Sequence, residues 1–313
     1  EILLESVKAK FKQERSRLTL SSDPSIAAKR QKFSRPGAGR KKTSEKTNES
    51  TELVRMKRPV LETSADGEDE TSLANHEKFL DEESKKATPN FEAMKDVASR
   101  CHRKRKEMLV TESVDLAINK YNWLKTPTML LHEMQLLKGV DLADLISSQL
   151  SRWSRVILDK SPDSTLKKDL LSKLRSVEDA DKYNEMTASA AVAVLPSLFR
   201  DKTEAFMAID FNPSFPTPTL VLTQCGPGNN PLDAMSAAVW INNTCVVEGG
   251  DSMDLTLGLV CVYACYWVYG IQFAPHLRNL MSFIDYYVTG FDKLRKPSKG
   301  VMRVFEMLEY SSK

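Results

Sequence analysis

Residues 1–60 carry sixteen Lys and Arg against seven Asp and Glu, although the 313-residue chain has a formal net charge of only +3. The remainder is therefore mildly acidic. Residues 21–70 contain almost no cluster of large apolar side chains, while residues 186–310 hold most of the aromatics. A Ser-, Thr-, Lys- and Glu-rich segment of that kind buries too little apolar surface to offset the entropy of ordering it. The division predicts a disordered basic arm followed by a body that folds. The arm, unlike the body, calls for an acidic partner or a transport receptor.

The chain begins at Glu1 rather than Met, and Ile2-Leu3-Leu4 has the texture of a helix interior. The expectation is a piece of a longer protein: residues 1–20 as the end of a preceding helix, 21–68 as a disordered basic linker, 69–210 as a helical region, and 211–313 as an α+β region packed with it. Five Cys without framework spacing favour reduced, buried thiols over a disulfide scaffold.

Local signals place the helices. Asp69-Glu70-Thr71-Ser72 supplies capping groups and negative charge before Leu73, Phe79 and Leu80. A second helix is expected from Asn90 to Leu109, with Phe91, Met94, Val97, Ala98 and Cys101 on one stripe. Its last turns would hold Arg100, Arg103, Lys104, Arg105 and Lys106, where cations suit the negative end of the helix dipole. Further helices are read from Thr111 to Leu124, from Pro127 to Leu137 with Gly139 as its stop, and from Asp141 to Leu158. Another follows Ser161-Pro162-Asp163, and one spans Asp181–Phe199, where Ala188 to Ala193 permits close packing.

Beyond Asn212 the texture changes. Leu220-Val221-Leu222 is a strand candidate after three prolines, and Asn242-Asn243 between two apolar runs reads as a hairpin turn. Three apolar helices close the chain, over about Met253–Tyr269, Pro275–Thr289 and Lys299–Tyr310. The fold class is mostly α: a multi-helix body with a small β-hairpin insert in the C-terminal half, preceded by the disordered basic arm. Residues 255–277 contain no Asp, Glu, Lys or Arg. Gly258, Gly270, Gln272 and Pro275 dilute the run, so a buried core helix is preferred over a membrane span.

No catalytic signature is present. Cys225 has no His placed to activate it, and Gly226-Pro227-Gly228 lacks the pattern of a phosphate loop. Cys261 and Cys265, with Cys245 and His276, have no metal-ligand spacing, and an apolar core stripe explains them better. No cofactor and no metal are expected. His132 is read as a packing or surface residue, and the four Trp as core anchors. Lys29, Arg30 and Lys32, followed by Arg35 and then Arg40, Lys41 and Lys42, form two basic clusters in the arm. They fit a solvated linker, a bipartite import element, or phosphate and minor-groove contact. Arg103, Lys104, Arg105 and Lys106 are a second candidate for phosphate contact, against a solvated helix end.

Several motifs resemble a group of vertebrate proteins, the sterile alpha motif domain-containing 3-like family, in the region beyond the sterile alpha motif itself. They run from Leu4-Glu5-Ser6-Val7-Lys8-Ala9-Lys10-Phe11-Lys12, through Asp66-Gly67-Glu68-Asp69-Glu70-Thr71-Ser72-Leu73, to Arg103-Lys104-Arg105-Lys106-Glu107-Met108-Leu109-Val110. Cys245-Val246-Val247-Glu248-Gly249, Leu255 to Ala264, and Phe283-Ile284-Asp285-Tyr286-Tyr287 continue the likeness. The chain departs from it at Tyr121-Asn122-Trp123-Leu124, where the family's Pro, Ala and Phe are missing. The resemblance implies a helical C-terminal domain without a membrane span and without enzymatic activity. The expected function is a non-enzymatic, adaptor-like protein with a protein partner or self-association. The alternative is a nuclear factor holding nucleic acid through its basic arm. Location in the nucleus is favoured slightly over the cytoplasm.

Overall fold

The structure, a computed structural model, describes residues 53–55, 69–210, 213–226, 228–293 and 295–312. The expected helix over 1–20 and the arm residues Lys29, Arg30, Lys32, Arg35, Arg40, Lys41 and Lys42 lie outside the described residues.

Capping starts the helices where the sequence marks them. Asp69 accepts from the Ser72 N–H at 2.6 Å and opens α1 (Glu70–Ser84). Asn90 caps α2 (Phe91–Arg100), and Ser113 caps α4 (Val114–Lys120), which runs into a 3-10 turn at Asn122–Lys125. Pro127 sits in the first turn of α5 (Pro127–Lys138), which Gly139 ends in the left-handed conformation at φ 73°. Asp141 opens α6 (Leu142–Lys160), Ser164 opens α7 (Thr165–Arg175), and Asp179 opens α8 (Ala180–Leu198). Each cap offers a side-chain oxygen to an N–H that the helix cannot pair itself.

The helix expected over 90–109 is broken. Cys101 leaves helical geometry, and a separate α3 (His102–Thr111) follows. The basic run therefore lies at the start of α3, not at the end of a longer helix. The helix dipole disfavours cations there, so it gives no reason for that cluster.

Four strands make one small sheet in the order β1 (Met207–Ile209), β2 (Thr219–Thr223), β3 (Ser236–Ile241), β4 (Thr244–Gly250). The expected hairpin is β3–β4, antiparallel, with Asn242 and Asn243 both at positive φ in its two-residue turn. β2 pairs antiparallel with β3, and β1 parallel with β2. β1 precedes the change of texture and was not expected as a strand.

Against this sheet lies α9 (Leu255–Val268), which is apolar on all sides and accordingly central. Gly258 is where α9 meets β2: a Cβ there would stand 2.6 Å from Leu220 Cδ2. Among the described residues no helix is long and apolar enough to cross a membrane. The segment expected as one helix over 275–289 is three pieces: a 3-10 turn at Pro275–Leu277, α10 (Arg278–Phe283), and a π-helical turn at Ile284–Val288. α11 (Lys299–Ser311) ends the fold, and the Arg152–Glu309 pair at 2.8 Å ties it to α6.

One hydrophobic cluster runs through both halves of the body. Trp153 of α6 packs on Phe283 and Phe305, with ring centroids 5.6 and 6.2 Å away. Ala190, Ala191 and Ala193 of α8 are fully buried. Trp123 and Trp153 are core residues as expected, whereas Trp240 and Trp267 are half-buried.

The linker expected to be disordered over 21–68 needs correction at residues 53–55. Leu53 packs against the core, Arg55 bridges antiparallel to Ile271, and the Gln272 N–H donates to the Val54 carbonyl at 2.8 Å. The local composition is polar, but the partner edge lies more than 200 residues away in the chain.

Candidate functional site

A cleft of about 860 Å³ opens on the C-terminal half. Trp267 at the end of α9, Gln272 and Phe273 form one side. Arg278, Asn279 and Ser282 of α10, with Asp285 and Tyr286 of the π-turn, form the second. Asp292 and Arg295 to Ser298 form the third.

Several contacts set this shape. Asp201 stands after α8 and fixes the start of α10: its carboxylate accepts from Asn279 Nδ2 at 2.9 Å and from the Leu280 N–H at 2.8 Å. Burial raises the Asp201 pKa, against these hydrogen bonds. Ser298 caps α11 through the Val301 N–H and lies on the cleft wall. Trp267 forms an aromatic side with Phe291, edge to face at 5.7 Å, and the Lys138 ammonium sits 3.4 Å from the Trp267 ring centre.

Asp285 is the buried acid of the cleft. The π-turn carries it into contact with the Tyr263 hydroxyl, which donates to Oδ1 at 2.6 Å. Burial raises the Asp285 pKa and the Asp292 charge adds to the shift, while the Tyr263 hydrogen bond and Lys138 oppose it. Tyr263 is itself raised well above an ordinary phenol, by burial first and then by the adjacent carboxylate. The phenol stays protonated at neutral pH and locks the carboxylate in place. Single π-turns recur at functional sites because they re-aim side chains within a helix.

The rim carries Arg278, Arg295 and Lys296, all exposed; Arg295 approaches Asp292 at 3.9 Å. Gln272, Asn279, Ser282 and Ser298 add amides and hydroxyls around an aromatic side. Such an arrangement offers a ring face and hydrogen-bonding groups within the cleft and cations at its rim.

The predicted basic site in α3 is divided. Arg103 is exposed, Lys104 and Lys106 are half-buried, and Arg105 is 1% exposed. Arg105 is thereby withdrawn from the phosphate-contact set. Its Nε donates to Glu133 Oε2 at 2.9 Å, its Nη2 donates to the same oxygen and to the Ala98 carbonyl, and its guanidinium lies 4.8 Å from the Trp123 ring centre. His102 reaches the other oxygen of Glu133 at 3.0 Å. Burial pushes the Glu133 carboxyl up, but the Arg105 charge and the two hydrogen-bonded partners hold it below the usual carboxylate range. This cluster joins α3 to α5 inside the core. Arg105 follows Ala98 and Cys101 on the buried face of this stretch.

His132 also has a structural setting, with Nε2 3.0 Å from the Lys95 carbonyl oxygen and 3.1 Å from Ser99 Oγ. Cys225 is buried, and burial with the Asp210 and Asp233 charges pushes its thiol up to about 11. Such a thiol is a weak nucleophile at neutral pH. Cys261, in the core, is pushed up to about 12 by the same cause. Among the described residues no group of three His, Cys, Asp or Glu is placed to hold a metal ion.

Sequence reasoning missed the cleft. Two signals were present: Asp285 is the only charged residue between Asn279 and Phe291, and Arg295-Lys296-Pro297 puts paired cations before a chain stop. Comparison of the chain with protein-family models, with curated proteins and with solved structures finds no match.

Proposed function

We propose that this chain is a non-enzymatic protein-interaction module that takes an extended acidic segment of a partner protein in the C-terminal cleft. The observation that carries the proposal is the cleft itself: about 860 Å³, with Arg278, Arg295 and Lys296 on its rim and Trp267 beside them. Guanidinium groups pair with carboxylates through two parallel hydrogen bonds, which favours an acidic peptide over a neutral one. The side chains of Gln272, Asn279, Ser282 and Ser298 suit the main chain of such a peptide. The non-enzymatic reading draws support from Asp285, one of whose carboxylate oxygens is taken up by the Tyr263 hydroxyl.

The test is fluorescence anisotropy with a labelled Glu- and Asp-rich decapeptide and its Gln/Asn counterpart. The acidic peptide binds the full chain at least tenfold more tightly, and Arg278→Ala/Arg295→Ala/Lys296→Ala removes that preference. Equal binding of both peptides, or a preference that survives the triple substitution, would sink the proposal.

A second reading, nucleic-acid binding, draws on the excess of Lys and Arg in residues 1–60 and on exposed Arg103. It requires affinity for DNA or RNA that falls steeply with salt and disappears when residues 1–52 are deleted. Kinship with the sterile alpha motif domain-containing 3-like proteins is proposed on the sequence motifs alone.

A further inference from the structure

Arg55 reaches two helix ends at once. Its Nη2 donates to the carbonyl of Leu109, in the last turn of α3, and to the carbonyl of Tyr269, the residue that ends α9, at 3.0 Å. The last carbonyls of a helix have no partner within it and carry the negative end of its dipole. The guanidinium placed between two such ends satisfies both through the two N–H groups of its Nη2. Gly270 stands at φ 63° beside it, and a Cβ there would lie 3.8 Å from Arg55 Nη2, in ordinary contact.

The neighbouring residues complete the engagement. Arg55 bridges antiparallel to Ile271, and the Gln272 N–H donates to the Val54 carbonyl at 2.8 Å. Gln272 Nε2 donates to the Arg55 carbonyl at 3.1 Å, and Leu53 packs on the core. Apolar seat, backbone edge and charged socket together are the parts of a site for an extended peptide.

We infer that Leu53-Val54-Arg55 is an internal docking motif: the body carries a site for an extended peptide that bears an Arg, and the chain fills that site with its own segment. The inference does not depend on what the cleft binds. Gln272 belongs to both places, since it lines the cleft as well as holding Val54 and Arg55. The motif therefore fastens the chain at the rim of the cleft. A cleft ligand that claims the Gln272 side chain has to take it from the Arg55 carbonyl.

The test is amide hydrogen exchange of the full chain, comparing wild type with Arg55→Ala and Arg55→Lys. The Gln272 amide is protected in wild type and loses at least tenfold of that protection in Arg55→Ala, while Leu220 and Val239 in the sheet keep theirs. Arg55→Lys, which keeps the charge but not the planar guanidinium, falls between. A Gln272 amide that exchanges freely in wild type, or stays fully protected in Arg55→Ala, overturns the inference. If Arg55→Ala loosens the sheet as well, Arg55→Lys decides: a loss confined to Gln272 supports the docking motif, and no loss overturns it.

Discussion

Replacing Glu133 with Gln keeps the shape of the buried cluster and removes its negative charge. Arg105, 1% exposed, would then be left as a guanidinium in the core facing a neutral amide. Breaking a buried pair by removing one partner costs about 3–5 kcal/mol, because the remaining charge is uncompensated. Here the Ala98 carbonyl, the Cys101 sulfur and the Trp123 ring still contact Arg105, which argues for the lower half of that range. For a body of this size each kcal/mol corresponds to about 2–4 °C in Tm, so Glu133→Gln is expected to melt about 6–15 °C early. The double substitution Arg105→Met/Glu133→Leu removes both charges together and should recover most of the loss, since apolar replacements of buried pairs are often neutral or stabilising by about 1–4 kcal/mol. Urea unfolding at pH 7, followed by circular dichroism, measures all three proteins. The sign with pH follows from Glu133, whose carboxyl titrates below its unfolded value. The stability it contributes is fully present above the unfolded pKa of about 4.3 and is lost as pH falls through the lower folded value. Glu133→Gln should therefore converge on wild type in acid. A single substitution within about 0.5 kcal/mol of wild type at pH 7 would refute the burial argument, given that exposed pairs are worth only about 0–1 kcal/mol. So would a double variant that is worse than Glu133→Gln.

Other substitutions probe the remaining parts of the fold. Gly258→Ala forces a methyl against Leu220 and should destabilise by about 1–3 kcal/mol, the range for overpacking a core, read from the urea midpoint. Asp285 has a raised folded pKa, so its charge opposes folding once pH exceeds its unfolded value. Asp285→Asn should be more stable than wild type at pH 7, with the gap closing toward pH 3.5, while its amide oxygen still accepts from Tyr263. A full chain with Lys29, Arg30, Lys32, Arg40, Lys41 and Lys42 changed to Ala should lose nuclear signal in imaged cells if the arm is an import element, and keep it if the arm is a linker.

What the sequence disclosed was what short-range chemistry decides. Asp69, Ser113 and Asp141 cap helices, Pro127 opens one, Gly139 ends one, and Asn242-Asn243 turns the hairpin, because each acts on its own next few residues. The apolar run over 255–268 was legible as a core helix for the same reason. Interactions across the chain were not legible. Arg105 reads as one cation among five until Glu133, 28 residues on, pairs with it between α3 and α5. The strand Met207–Ile209 is too short to show alternation and owes its place to parallel pairing with β2. Arg55 sits in polar sequence, and its partners are carbonyls, which no side-chain pattern announces. The cleft depends on a π-turn that adds a residue to one helical turn and rotates Asp285 toward Tyr263.

An acidic polypeptide in the cleft is what we propose this fold to receive. The most direct test is a titration of the 15N-labelled full chain with the acidic decapeptide, followed by amide chemical shifts. Saturable shifts concentrated at Gln272, Asn279, Ser282 and Ser298 are expected, with β3 and α8 unmoved. Absence of shifts at those four residues, or shifts centred on another face of the body, would contradict it.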